Sequence, residues 1–87
     1  MMPLDFPERT DLGNGYAWSA KLTSHDWARM ANFYFDISLY KGEELVRVFS
    51  ADTNDWNYGD PNCAHTDAEI RENVHYELHR AAKAMIP

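Results

Sequence analysis

Apolar and polar side chains alternate along two stretches within residues 1–50. In the first stretch, residues 16–22, the larger apolar side chains are Tyr16, Trp18 and Leu22, with Ala20 between them. In the second, residues 32–50, the same alternation runs up to Lys41-Gly42 and resumes after it. A period of two places successive side chains on opposite faces of a strand. The pattern therefore predicts three half-buried strands.

Lys41-Gly42 has the length of a two-residue hairpin loop, which would join the second and third predicted strands. That loop sets four pairs of residues opposite each other: Ile37 and Val46, Phe35 and Val48, Asp36 and Arg47, and Tyr34 and Phe49. One face is then wholly apolar, with Phe35 and three aliphatic residues, while the other combines an aromatic pair with an oppositely charged pair. Because a slip of one residue would mix the two faces, we expect this register. Lys is a poor first residue for such a turn, so a longer loop through Glu43 and Glu44 is the alternative.

A different period begins at residue 66. Thr66 and Glu69 have the spacing of a capping box, in which each side chain bonds to a free backbone N–H at a helix start. The apolar residues that follow recur every three or four positions: Ile70, Val74, Leu78, Ala81 and Met85. Such a stripe predicts an amphipathic helix with this side against the sheet.

These elements predict an α+β fold, a two-layer sandwich of a three-stranded antiparallel sheet and one C-terminal helix in the order β-β-β-α. With 87 residues we expect a single domain. Within it, residues 1–15 are expected to form an irregular arm because two prolines and a Gly-Asn-Gly turn interrupt them. Residues 16–50 form the sheet, 51–65 an acidic aromatic loop and 66–86 the helix.

Charge limits the partners that we expect. The chain has 14 acidic and 8 basic residues and a net charge of −6. This balance disfavours direct binding to nucleic acid or to an acidic membrane, and it favours a basic protein surface. Cys63 is the only cysteine, which fits a reducing compartment. With neither a signal-peptide pattern nor an apolar run of membrane-spanning length, the prediction is a cytoplasmic protein.

Two surfaces are candidate interaction sites. The first combines acidic residues of the predicted loop and helix start with two aromatics, namely Asp52, Asp55, Trp56, Tyr58, Asp60, Asp67, Glu69 and Glu72. The second is the sheet face that the helix does not cover, with Tyr34, Asp36, Tyr40, Leu45, Arg47 and Phe49. Aromatic side chains with a charged rim are typical of protein interfaces, and an uncovered apolar face often marks association, including homodimerisation.

The remaining chemical motifs are weak. His75 and His79 are four residues apart on the predicted helix, and Glu72 lies three residues before His75. Side chains at this spacing could coordinate zinc, but an exposed polar face opposite the apolar stripe is the simpler interpretation. Cys63 and His65 have no evident third group to orient them as a nucleophile and its base. We therefore expect no catalytic residues, no metal and no cofactor.

In size, acidity and aromatic content the chain resembles the small inhibitors that phages make against host defence, such as anti-CRISPR and anti-restriction proteins. The resemblance is one of composition and rests on no motif. It implies a non-enzymatic protein that occupies a basic, nucleic-acid-binding surface of a partner and inhibits it. The alternatives are a homodimeric structural or regulatory subunit and a small metal-binding protein that uses Glu72, His75 and His79.

Overall fold

The computed structural model describes residues 5–26, 31–55 and 66–87. It contains the elements β1 (Phe6–Gly13), β2 (Tyr16–Asp26), β3 (Ala31–Lys41), β4 (Glu44–Asp55) and α1 (Asp67–Ala84). The strands form one antiparallel sheet in the order β1-β2-β3-β4, and α1 packs on one face of it. This confirms the α+β class and the C-terminal helix. The sheet has four strands, however, so the prediction of three strands was wrong.

The additional strand, β1, lies where an irregular arm was expected. Phe6 is buried opposite Ala20 of β2, whereas the pairing between Phe6 and Thr10 is irregular. Pro7 is tolerated because β1 is an edge strand, where a missing donor breaks no ladder. The turn residues Asn14 and Gly15 join β1 to β2, both with positive φ, as a type I′ hairpin requires.

The register between β3 and β4 also differs from the prediction. Ile37 lies opposite Phe49, and the loop is Gly42-Glu43. Gly42 has a φ of 58°, which glycine adopts without the steric cost that Lys41 would incur there. A bulge leaves Val46 without a partner residue on β3. The loop and the bulge together shift β4 by three residues, so none of the four predicted pairs forms. β4 also continues to residue 55, into the predicted loop.

The core lies between α1 and the facing side of the sheet. Its fully buried larger side chains are Trp18, Phe33, Phe35, Ile37, Leu39, Ile70 and Leu78. The buried helix residues are Ile70, Val74, Leu78 and Ala82, whereas Ala81 and Met85 of the predicted stripe are only half-buried. The capping box is confirmed: Glu69 N–H donates to Thr66 Oγ1, and Thr66 N–H donates to Glu69 Oε1, each at 3.2 Å.

A helix that spans a membrane must be both long and apolar. Across residues 5–26, 31–55 and 66–87, no helix is both long and apolar enough to cross a bilayer.

Candidate functional site

The sheet face turned away from α1, here called the open face, carries the first candidate site. Tyr34 lies on this face because its neighbours Phe33 and Phe35 are buried beneath α1. The side chain of Tyr34 is 40% exposed, and Asp52 of β4 lies directly opposite it. Asp36, two residues along β3, occupies the same face. An exposed aromatic ring thus has two exposed acidic residues as neighbours, one across the strand pair and one along β3.

A shallow recess of about 480 Å³ adjoins Tyr34. Asp52 and Ser50 line it from β4, and Thr23 and Ser24 line it from β2. The Thr23 hydroxyl donates to the Tyr34 carbonyl at 3.0 Å, while the Ser50 hydroxyl donates to Asp36 Oδ1 at 3.2 Å. These bonds fix the backbone of Tyr34 and the carboxylate of Asp36, so this end of the open face is preorganised.

The other end of the open face is partly covered. Tyr40 is half-buried because the guanidinium of Arg9 lies over its ring, with Cζ 3.8 Å from the ring centroid. Arg9 also donates to the Gly42 carbonyl at 3.0 Å. Leu45, opposite Tyr40, and Val48, at mid-strand, are both exposed. Among the described aromatic residues of this face, Tyr34 is therefore the accessible one.

The structure separates the residues predicted for the open face. Tyr34, Asp36, Tyr40 and Leu45 lie on it. Arg47 and Phe49 do not, because they pair with the buried residues Leu39 and Ile37 and therefore share the face under α1. Phe49 is half-buried against the core. The prediction failed for these two residues because it placed them in the wrong register.

The structure describes only some residues of the first candidate surface, the acidic aromatic one. Asp52 is exposed on the open face, and Glu72 is exposed on α1, whereas Glu69 is engaged in the helix cap. Asp55 ends β4 and Asp67 begins α1. The remaining members, Trp56, Tyr58 and Asp60, lie outside the described residues. Asp52 is therefore a member of the first candidate set that lies on the open face, opposite Tyr34 of the second set.

A histidine pair lies at one flank of the interface between α1 and the sheet. The indole Nε1–H of Trp18 donates to His79 Nδ1 at 3.0 Å, and Nε2 of His75 is 3.3 Å from Thr10 Oγ1. The two imidazole rings are stacked, with centroids 6.4 Å apart and planes at 17°. The His75 ring also contacts Phe6 at a centroid distance of 5.2 Å. Both rings thus form part of the helix–sheet contact.

The expectation that these histidines lie opposite the apolar stripe was wrong. In the observed stripe, His75 directly follows Val74 and His79 directly follows Leu78, and one residue turns the helix by about 100°. The histidines therefore flank the stripe. Glu72 is exposed, farther around the helix. The one sequence signal for the contact was a buried tryptophan, whose indole N–H usually finds an acceptor.

Burial gives His75 an unusual electrostatic environment. Desolvation lowers the pKa of His75 below 6.5, and the neighbouring His79 and Arg71 lower it further. Neutral His75 is thus favoured in the folded protein. The helix and sheet do not bring Glu72, His75 and His79 together as metal ligands. In the described parts of the chain, no group of three or more His, Cys, Asp or Glu side chains is placed to hold a metal ion.

Comparison with known proteins supplies no relative: no family model, curated protein or solved structure matches this chain. Function must therefore be inferred from the residues of the chain itself.

Proposed function

We propose that this chain is a small non-enzymatic binding protein that occupies a basic surface of a partner protein. The observation that carries the proposal is the arrangement around Tyr34, an exposed ring whose neighbours on the open face include Asp36 and Asp52. We propose further that the partner surface is one that binds nucleic acid, and that its occupation inhibits the partner.

The physical basis is charge complementarity around an aromatic anchor. Nucleic-acid-binding surfaces cluster Lys and Arg, and an anion that neutralises them releases bound counterions, which favours binding. Asp36 and Asp52 supply carboxylates on a rigid sheet, and the net charge of −6 adds long-range attraction. Tyrosine side chains are enriched among the residues that dominate binding energy, because they desolvate a large area at a low entropic cost.

We propose that the segment after β4 takes part in the same interaction. Trp56, Tyr58 and Asp60 follow β4 directly in the sequence, beyond the end of the strand on which Asp52 lies. Their contribution rests on the sequence, whereas that of Tyr34 and Asp52 rests on the structure. Substitutions at Tyr34 and Asp52 are therefore the sharper probes.

The experiment has two stages. Tagged protein is used to isolate its partner from a lysate of its source cells, and the purified partner is then titrated with a fluorescent oligonucleotide in the presence of the chain. We expect the chain to displace the oligonucleotide, and we expect Asp52→Lys to weaken displacement at least tenfold. Tyr76→Ala is the matched control because Tyr76 is exposed on α1, away from the sheet. A partner that binds chain and oligonucleotide simultaneously would contradict blocking.

A further inference from the structure

Within residues 5–26, 31–55 and 66–87, no strand pairs with the outer edge of β4. Among the described strands β4 pairs only with β3, and at 12 residues it is the longest strand. It contains no proline and no lysine, the residues that commonly protect an edge, and Val48 is 55% exposed. The bulge at Val46 disturbs only the end of β4 near the hairpin loop. The strand from Arg47 onward is therefore available for pairing.

An unsatisfied hydroxyl lies beside this edge. Thr53 is only 8% exposed, and its Oγ1 has no hydrogen-bond partner among the described residues. Thr53 lines a recess of about 340 Å³ between β4 and α1, together with Asp52, Glu77 and Arg80. A buried hydroxyl without a partner is unfavourable, so a group that entered this recess and bonded to Thr53 would be favoured. The charged side chains on this side are Glu77 and Arg80, because the side chain of Asp52 lies on the open face.

We propose that two copies of this chain pair antiparallel through β4 about a two-fold axis at Ser50. Arg47 and Thr53 are equidistant from Ser50 along the strand, so the axis places Arg47 of each copy opposite Thr53 of the other. Both residues lie on the face under α1, because Arg47 pairs with Leu39 and Thr53 with Phe33. Arg47 of the second copy then donates to Thr53 Oγ1 and satisfies this buried hydroxyl.

The same register accounts for two half-buried residues at the edge. Phe49 and Ala51 both pack against the core from β4, and each is only half-buried in one copy. The axis at Ser50 sets Phe49 of one copy opposite Ala51 of the other, so pairing buries their remaining surface. The pairing runs from residue 47 to residue 53 and stops at the bulge. This pairing leaves the open face uncovered. The proposed dimer therefore does not depend on the proposed function.

Disulfide trapping tests the register. Ser50→Cys is made in a Cys63→Ser background, and Val48→Cys in the same background is the control on the same strand and face. Directly opposite strand residues have Cα atoms about 4.5–5.5 Å apart, within the range for a disulfide. In the proposed register the two copies of residue 48 are offset by about 13 Å along the strands. We expect rapid oxidation to a covalent dimer for Ser50→Cys alone. Faster cross-linking of Val48→Cys, or no cross-linking of either, would overturn the proposal.

Sedimentation equilibrium tests the contact between Arg47 and Thr53. Arg47→Glu should weaken dimerisation at least tenfold, whereas Lys21→Glu, an equal charge change on the open face, should leave it within threefold. Thr53→Val removes the hydroxyl at constant shape, so the dimer should weaken while the monomer becomes no less stable to urea. A wild-type chain that is monomeric at millimolar concentration, or a dimer indifferent to Arg47→Glu, would contradict the proposal. Circular dichroism of each variant checks the fold.

Discussion

The indole N–H of Trp18 donates to Nδ1 of His79 at 3.0 Å and thereby joins β2 to α1. Trp18 is fully buried, and an indole nitrogen can only donate. Neutral His79 must therefore accept at Nδ1 and carry its proton on Nε2. One hydrogen bond thus fixes the tautomer of a histidine and satisfies the polar atom of the largest core residue.

We predict that His79→Leu destabilises the fold by about 1–3 kcal/mol, because it leaves the Trp18 donor buried without an acceptor. In a Trp18→Phe background the same change should cost less, since no donor remains to be satisfied. Urea denaturation of the two single variants and the double variant measures this coupling. If His79→Leu lowered the free energy of unfolding equally in both backgrounds, the hydrogen bond would contribute nothing to stability.

Acidification should destabilise the fold through His75. Its pKa in the folded protein is lowered, so the unfolded chain binds the proton more readily. The contribution of His75 to stability is therefore complete well above pH 6.5 and is lost as the pH falls below 6.5 towards the folded pKa. Unfolding midpoints measured between pH 8 and pH 5 should fall less steeply for His75→Gln than for the wild type. If the unfolding midpoints of the wild type and His75→Gln fell equally with pH, His75 would not be responsible for the destabilisation by acid.

Leu78→Ala should destabilise the protein by about 2–5 kcal/mol, because Leu78 is fully buried between α1 and the sheet. Tyr76→Ala on the same helix is the control, since Tyr76 is 59% exposed and should change stability by only about 0.5 kcal/mol. Thermal and urea unfolding of both variants provide the comparison. A similar cost at the two positions would mean that α1 packs through another side.

The register of β4 can be tested with two neighbouring residues. Phe49→Ala should cost at least about 1 kcal/mol, because Phe49 packs against the core, whereas exposed Val48 should tolerate alanine within about 0.5 kcal/mol. The register expected from the sequence predicts the reverse order, with Val48 facing the core. Urea midpoints of the two variants therefore distinguish the registers directly.

Local sequence patterns correctly predicted the elements that depend on interactions between residues close together in the sequence. The cap at Thr66 and Glu69 and the helix that follows depend on residues within a few positions of one another, so their spacing alone was sufficient. The buried strand β3 was recognised by its strict alternation. β1 was missed because the two prolines and the Gly-Asn-Gly turn were interpreted as an irregular arm. An edge strand tolerates Pro7, and the turn joins β1 to β2.

The sequence did not reveal the features that depend on contacts between elements. The register of β4 depends on the bulge at Val46 and on the loop beginning at Gly42, and neither changes the hydrophobic pattern. As a result, Tyr34 was assigned to the open face correctly, whereas Phe49 was not. His79 was assigned to the wrong side of the helix because the position after Leu78, only about 100° farther around the helix, was taken to lie opposite the stripe. Its contact with Trp18 of β2 depends on how the helix packs on the sheet, which the spacing along the helix does not reveal.

The most direct test of the proposed function is the kinetics of partner binding by Asp52→Lys and Tyr34→Ala across a salt series. Association of the wild type should slow as salt rises to about 0.15 M, where the Debye length is about 8 Å. Asp52→Lys should mainly slow association, whereas Tyr34→Ala should speed dissociation and cost about 2 kcal/mol or more, with Tyr76→Ala unchanged. Binding that ignores salt and tolerates both substitutions would contradict an acidic aromatic interface on the open face.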